Sequence, residues 1–459
     1  MRCARGTART LIACLCLVLA PAGIARAQSP GAAGAGDPYF PKAGNGGYQV
    51  QRYGLDLRVK PLRNRLVGRA TIDAIARQSL SRFNLDLRGL RVKEVSVDGA
   101  AASFDRRRGE LIITPALPLA DGTAFRVAVT YRGHPRPIRR PRAAGGGWLR
   151  TDDGTVVAAE PVGAPTWFPC NDTPLDKAGF TFRVTVPRPF KAITNGALDE
   201  VLKGPKRRTF VWREGEPMAT YLATLATGRF RLRKRQAAGV PALLALDTRE
   251  ARRSKKPLRR LGPILRLFGR HFGAYPFETT GALVDHKNLG FALETQTRPL
   301  FGAAPDSVLL AHELAHEWFG NAVTLKRWRD IWLHEGFATW AEWLWDGRHG
   351  GFGPGANFRL LRSAPASEKR LWSPPPGRPG RRDMFAPAVY LRGALTLEAL
   401  RRRAGKRDFR QILRRWFSGH RYGNASTSQF IALAEAVSGR QLDRLFRVWL
   451  YRKGKPRRW

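Results

Sequence analysis

The chain has 459 residues, which is long enough for two or three domains with substantial hydrophobic cores. It contains 80 Lys and Arg residues against 36 Asp and Glu residues, a formal net charge of +44. This charge is spread along the whole chain and no nucleic-acid-binding motif accompanies it. The composition therefore predicts a solvated basic surface with nonspecific attraction to polyanions or cell-wall polymers, and no specific nucleic-acid partner.

The first 27 residues have the composition of a secretory signal peptide. Arg2, Arg5 and Arg9 precede an apolar stretch, and Ala25-Arg26-Ala27 forms a small-x-small cleavage site. The apolar stretch is interrupted by Pro21 and is too short to span a membrane, and no later segment approaches spanning length. We therefore predict a secreted, extracellular protein without a transmembrane segment.

Residues 28–47 are rich in Gly and Ala and are predicted to form a flexible linker. Residues 48–235 are predicted to form an antiparallel β domain of sandwich or saddle type, because short alternating segments are punctuated by turn signals. The clearest alternating segments are residues 53–59, 125–131 and 180–186. Only Cys170 of the four cysteines lies beyond the predicted signal peptide, so we expect no internal disulfide.

Residues 236–459 are predicted to form a mostly helical domain, so the fold class is α+β with several domains. One buried helix face is predicted from the spacing of Leu258, Leu261, Leu265, Phe268 and Phe272. Another helix is predicted from a cap at Asp306 and Ser307 to Phe319, and a third from Ile331 to Trp345.

Within the helix that begins near Ser307, His312 and His316 are four residues apart, so both imidazoles project from one face. At this separation two ring nitrogens can bind one zinc ion at about 2.0–2.1 Å each. Glu313 lies between them, where it can contact a water without ligating the metal. Glu335 in the next helix adds a carboxylate, and this ligand set leaves a fourth position for water. We therefore predict one catalytic Zn²⁺ per chain.

The segments HELAHEWFGN and WLHEGFA resemble the gluzincin zinc metallopeptidases of the aminopeptidase N and leukotriene hydrolase family, in a short, secreted bacterial form. His334 replaces the usual Asn of the second segment, and Glu317 is an additional residue in the first. The resemblance covers the chain from Tyr48 onward, without the large helical carboxy-terminal domain of longer members. It implies an amino-terminal β domain followed by a thermolysin-like, mostly helical catalytic domain.

The same resemblance implies two residues that bind the free amine of a peptide substrate. The segment EPVGAPTWFPCNDTPLDKAGF matches a family motif whose first residue, here Glu160, reaches from the β domain into the active site. Residues 291–295 correspond to the family's G-A-M-E-N strand, in which Glu294 is retained. An ion pair between Glu294 and Arg298 is the alternative interpretation. Ala158 replaces a Gln that is common in the family, which alters the predicted pocket for the first side chain.

The segment VYLRG resembles the family helix whose tyrosine donates a hydrogen bond to the oxyanion, and this residue is Tyr390 here. The alternative is an ordinary aromatic residue on a helix face. Asp330 is predicted either to orient a zinc ligand or to cap a helix.

Together these residues predict a secreted zinc aminopeptidase that hydrolyses amino-terminal residues from peptides. Glu313 and Tyr390 are its predicted catalytic residues, and peptides with a free amino terminus are its predicted partners. Three alternatives remain: a zinc endopeptidase with the same catalytic centre, an epoxide hydrolase, and a catalytically weak protein that binds peptides or polyanions. The two amine-binding carboxylates argue against the first, and the complete catalytic set argues against the last.

Overall fold

The computed structural model describes residues 28–138, 146–457 and 459, and the predicted signal peptide lies outside these residues. The first half of the described chain is dominated by β-strands and the second half by α-helices. This arrangement confirms the predicted order of a β domain followed by a mostly helical domain.

The largest sheet in the described residues has eight strands, and it forms the framework of the β domain. Its central strands pair along nearly their whole length, with Tyr48–Lys60 antiparallel to Arg65–Ala76 and parallel to Ala178–Pro187. Across the sheet the strands are, in order, Ala197–Lys203, Arg207–Met218, Ala178–Pro187, Tyr48–Lys60, Arg65–Ala76, Ala124–Gly133, Arg91–Val97 and Ala100–Ala101.

Two smaller sheets complete the β domain. One contains Ser29–Pro30, Leu80–Asp86, Glu110–Thr114 and Ser103–Arg107, in that spatial order. The other contains Gly147–Arg150, Thr155–Ala158, Leu225–Gly228 and Lys191–Thr194. Alternating apolar residues of the eight-stranded sheet point into the core, where Tyr53 stacks on Phe180 with ring centroids 4.8 Å apart. Cys170 is buried in this domain and is a free thiol.

A five-stranded sheet begins the second half of the chain, and the predicted onset of helical structure at residue 236 is therefore wrong. The strand Phe230–Ala237 forms a hairpin with Val240–Asp247, and the sheet continues through Thr280–Val284, Leu300–Phe301 and Ala292–Leu293. The predicted boundary between residues 235 and 236 falls inside the first of these strands. Its alternation was hidden by the long basic side chains that occupy half of its positions.

The helices of the catalytic half pack around the element pair that carries the predicted zinc ligands. In the described ranges they are α1 Lys255–Leu258, α2 Leu261–Phe272, α3 Ser307–Ala315, α4 Trp332–Asp346, α5 Pro354–Ser363, α6 Lys369–Trp372, α7 Pro387–Ala404, α8 Lys406–His420, α9 Thr427–Ser438 and α10 Asp443–Phe446, followed by a π-helix at Arg447–Tyr451. The five residues predicted to share one helix face are all buried, although Leu258 lies in α1 and the others in α2. No helix among the described residues combines the length and hydropathy needed to cross a membrane.

Residues 28–47 were predicted to be a flexible linker, and the structure shows them packed against both halves of the chain. Ser29–Pro30 pairs with the strand that begins at Leu80. The buried carboxylate of Asp37 accepts hydrogen bonds from the backbone N–H groups of Phe40 (3.0 Å) and Trp328 (2.7 Å). Trp328 is distant from this segment in sequence, which is why composition alone indicated a linker.

Candidate active site

The first two predicted ligands lie at the end of α3, His312 within the helix and His316 as its C-cap. The N-cap of this helix is Asp306, whose Oδ1 accepts hydrogen bonds from the backbone N–H groups of Val308 (2.9 Å) and Leu309 (2.8 Å). The helix ends at Ala315 and the chain then turns, so the predicted end at Phe319 is too late. The side chains of His312 and Glu313 are buried at its carboxyl-terminal end.

Glu335 lies in the first turn of α4 and meets the two histidines. Its Oε2 is 3.4 Å from His312 Nε2 and 3.5 Å from His316 Nε2. In a tetrahedral zinc site with bonds of about 2.0–2.1 Å, neighbouring donor atoms are about 3.3–3.4 Å apart. Both distances from Glu335 therefore fit a single zinc ion, and the three buried donor atoms all lie within 4.8 Å of one another.

Both imidazoles are oriented by hydrogen bonds on the side away from Glu335. His316 Nδ1 donates to the Phe319 carbonyl at 3.2 Å, and His312 Nδ1 donates to Glu342 Oε2 at 3.0 Å. In the neutral form of each ring, these bonds place the proton on Nδ1 and leave Nε2 as the lone-pair donor. Glu342 was not predicted from the sequence. It follows Glu335 by seven residues, about two helical turns, and this spacing on one face is the signal that would have found it.

Tyr390 reaches the same site because α7 approaches α4 unusually closely. A Cβ atom on Gly336 would lie 2.8 Å from the carbonyl carbon of Gly393, and one on Gly393 would lie 2.9 Å from the Cα of Gly336. Only glycine at both positions permits this backbone contact. The ring of Tyr390, one turn before Gly393, lies nearly parallel to the imidazole of His312 with centroids 6.0 Å apart. Burial raises the pKa of Tyr390 well above its ordinary value, so the phenol remains a hydrogen-bond donor.

Glu160 and Glu294 come from different halves of the chain and converge beside Glu335. One carboxylate oxygen from each of the three lies within 4.8 Å of the others. Glu160 and Glu294 are both buried, and Oε1 of each has no hydrogen-bond partner among the described residues. Burial and the charge of Glu294 raise the pKa of Glu160 well above its ordinary value, and burial also raises the pKa of Glu294. This pair of carboxyl groups can therefore be stabilised by a cation.

The position of Glu294 is set by neighbours other than Arg298. The backbone carbonyl of Glu294 accepts a hydrogen bond from Asn321 Nδ2 at 2.8 Å, just beyond the end of α3. Arg298 instead donates to the carbonyl groups of Thr194 and Gly196 in the β domain. The alternative of an ion pair between Glu294 and Arg298 is therefore wrong.

The seven predicted site residues line one cleft with a volume of about 260 Å³. Phe291, Ala292 and Leu309 add apolar surface to this cleft, beside Glu342. Burial raises the pKa of Glu313 to about 7, against the lowering effect of the two histidines. A carboxyl group with a pKa near neutrality has the proton affinity that suits general acid–base chemistry.

Three contacts near the site explain other residues of the sequence motifs. The buried Lys177 donates from Nζ to the carbonyl groups of Asn321 (2.8 Å) and Ala322 (3.1 Å), which joins the β domain to the segment after α3. His334 Nε2 accepts a hydrogen bond from Leu325 N at 3.1 Å, and burial lowers its pKa to about 3, so the ring is neutral. Asp330 Oδ1 accepts a hydrogen bond from the Thr427 hydroxyl at 2.6 Å, rather than from a ligand histidine.

Comparison with known proteins agrees with this architecture. The Peptidase M1 N-terminal domain matches residues 49–222, and the Peptidase family M1 domain matches residues 305–449. The M1 zinc metallopeptidase from Deinococcus radiodurans has a similar structure, with a TM-score of 0.85 and 30% sequence identity over 92% of this chain and 99% of that chain. This chain belongs to peptidase family M1. A mutant of the Deinococcus radiodurans M1 zinc metallopeptidase, bound to a Tyr-Ser-Ala substrate, matches with a TM-score of 0.84 and 30% identity over 92% of this chain and 99% of that chain.

Curated M1 relatives match over part of their length. The Tricorn protease-interacting factor F2 of Thermoplasma acidophilum is 27% identical over 67% of this chain and 42% of its own. Aminopeptidase M1 of Arabidopsis thaliana is 28% identical over 66% of this chain and 37% of its own. The chain thus spans less than half the length of these relatives.

Proposed function

We propose that this M1 family member is a zinc-dependent aminopeptidase that removes single residues from the free amino termini of peptides. The observation that carries this proposal is the convergence of Glu160 and Glu294 beside the His and Glu cluster. Two buried carboxylates with unpartnered oxygens can hold an ammonium group by charge-assisted hydrogen bonds. A free amino terminus supplies that group, whereas an internal peptide bond does not.

The proposed zinc ligands are His312, His316 and Glu335, with one Zn²⁺ per chain. Their donor spacing and the hydrogen bonds on both Nδ1 atoms support this assignment. When bound, a zinc ion supplies Lewis acidity, which polarises a carbonyl group and lowers the pKa of a water molecule.

Glu313 and Tyr390 are the proposed catalytic residues. The Glu313 carboxylate accepts a proton from the attacking water and returns it to the leaving nitrogen, a role that its raised pKa supports. The Tyr390 phenol donates a hydrogen bond to the oxygen on which negative charge develops. The ammonium contacts fix the substrate so that its first peptide bond lies between these two groups.

The proposal is tested with one peptide prepared with a free and with an acetylated amino terminus. Loss of a charged hydrogen-bond partner is worth about 1.5–3 kcal/mol, so wild type should prefer the free peptide by at least roughly tenfold in kcat/KM. Glu294→Ala should reduce this preference, whereas the exposed control Glu94→Ala should keep it. Equal cleavage of both peptides, or internal cuts in the acetylated one, would indicate the endopeptidase alternative.

The zinc requirement has a separate test. Chelation should abolish turnover of the free peptide, and added Zn²⁺ should restore it. Full activity in protein shown to be metal-free would contradict the proposed metal dependence.

Export is a further part of the proposal, and it rests on residues 1–27, outside the described residues. Protein recovered from the culture medium of an expressing bacterium should begin at Gln28 when its amino terminus is sequenced. Retention of Met1 on the recovered protein would contradict cleavage.

A further inference from the structure

One end of the eight-stranded sheet is unusually rich in cations. The strand pairings bring four segments together there, because Thr185 pairs with Arg58, Pro187 with Arg207 and Leu66 with Gly133. The segments 58–65, 132–138, 185–191 and 203–208 contain twelve Lys and Arg residues and no Asp or Glu. We call this surface the basic end.

The cations of the basic end are not neutralised by neighbouring acids. None of the ion pairs formed between described residues includes a side chain from the four segments. At the adjacent strand start, the charges of Arg132 and Arg91 lower the pKa of Lys93, as expected where positive charges repel one another. The surface therefore carries a concentrated positive potential.

The basic end also contains a cavity with an apolar lining. Its volume is about 520 Å³, twice that of the catalytic cleft. Val59, Pro61 and Phe190 are buried in its wall, while Arg63 and Arg65 are exposed at its edge. Beside them Leu62 is 63% exposed at the tip of the hairpin between the strands Tyr48–Lys60 and Arg65–Ala76.

This combination favours a phospholipid surface over a polymer with the same charge. Phosphate groups of either ligand can pair with Arg and Lys, but an exposed Leu at a hairpin tip gains free energy only when it leaves water. Single-stranded nucleic acid would be held by stacking on exposed Phe, Tyr or Trp rings, and the one such residue of the four segments, Phe190, is buried. Peripheral membrane sites place apolar side chains in the interface and basic ones around them.

We propose that the basic end binds the surface of an anionic phospholipid bilayer. Leu62 enters the interfacial region, and the surrounding Arg and Lys side chains contact lipid phosphates. The β domain would then hold the chain against a membrane while the catalytic cleft, built from other elements, acts on peptides.

The test is co-sedimentation of the full chain with vesicles of phosphatidylcholine, with and without phosphatidylglycerol. Wild type should bind only the vesicles that contain phosphatidylglycerol. Each basic residue near an anionic membrane contributes roughly fivefold in affinity, so the double variant Arg63→Ser with Arg65→Ser should bind about 25-fold more weakly. Leu62→Ser should bind roughly tenfold more weakly, and this loss should persist at raised salt.

Matched controls separate this site from the overall charge. The double variant Arg403→Ser with Arg407→Ser removes two exposed cations from the catalytic half, and Leu117→Ser removes a 79% exposed leucine near the other end of the sheet. Both should bind vesicles like wild type, and all variants should retain wild-type cleavage of a short peptide. Equal losses in the control arginine variant, or no effect of Leu62→Ser, would overturn the proposal. Tighter binding to heparin than to the vesicles, with the same dependence on Arg63 and Arg65, would also overturn it.

Discussion

The contact between Gly336 and Gly393 gives the most direct test of how the fold builds the site. In Gly336→Ala the new Cβ would lie 2.8 Å and 2.9 Å from backbone carbon atoms of Gly393, where ordinary contacts begin near 3.4 Å. Because these atoms belong to the backbone, no side-chain rotation relieves the overlap, and α7 must move away from α4 by several tenths of an ångström.

The magnitude follows from two opposing effects. Overpacking of a core contact costs about 1–3 kcal/mol. Replacing a helical Gly with Ala contributes up to about 1 kcal/mol in the other direction. Because the overlap is with backbone, we expect a cost near the upper limit and a net loss of about 2 kcal/mol in the free energy of unfolding.

The assay compares Gly336→Ala with Gly419→Ala, a helical glycine in α8 whose added Cβ would meet nothing within 4 Å. Thermal or denaturant unfolding should show the first variant destabilised and the second unchanged or slightly stabilised. Gly336→Ala should also have a lower kcat with unchanged metal content, because Tyr390 moves with α7 away from the proposed metal ligands. Equal stability and equal kcat in the two variants would refute the argument that this contact positions Tyr390.

Three further predictions concern the proposed site. Glu342→Gln replaces the charged acceptor of the His312 hydrogen bond with a neutral one, a difference of about 1–1.5 kcal/mol. The Kd for zinc, measured in a competition titration, should therefore rise roughly fivefold to tenfold. An unchanged Kd would mean that this hydrogen bond does not orient His312. Glu313→Gln should bind metal like wild type and lose about 10²–10⁴ in kcat, and loss of the metal would assign Glu313 a structural role instead. Tyr390→Phe should lower kcat by a factor of about 10²–10³ with little change in KM, because the tyrosine hydrogen bond strengthens only as the oxyanion forms. An unchanged kcat would mean that Tyr390 is an ordinary aromatic residue on a helix face.

Local spacing determined much of what could be predicted about this protein. The i, i+4 positions of His312 and His316 fix both rings on one face of any α-helix, so this part of the site follows from helical geometry alone. The Asp306 cap and the strands with alternating apolar residues were also predictable from the sequence, because the residues that form each pattern lie within a few positions of one another. The order of a β domain and a helical domain follows from these periodicities.

Contacts between distant segments were decided only by the tertiary structure. Composition indicated a flexible linker over residues 28–47, but Asp37 binds the backbone of Trp328, which no local pattern encodes. The basic strand Phe230–Ala237 lacks a visible alternation and becomes a strand because Val240–Asp247 pairs with it. The meeting of Glu160 with Glu294 depends on the packing of two domains, since their carboxylates are buried together at a cost that protonation or a cation offsets. Helical periodicity is a property of the backbone and can be read from the sequence, whereas burial is a property of the whole packed chain.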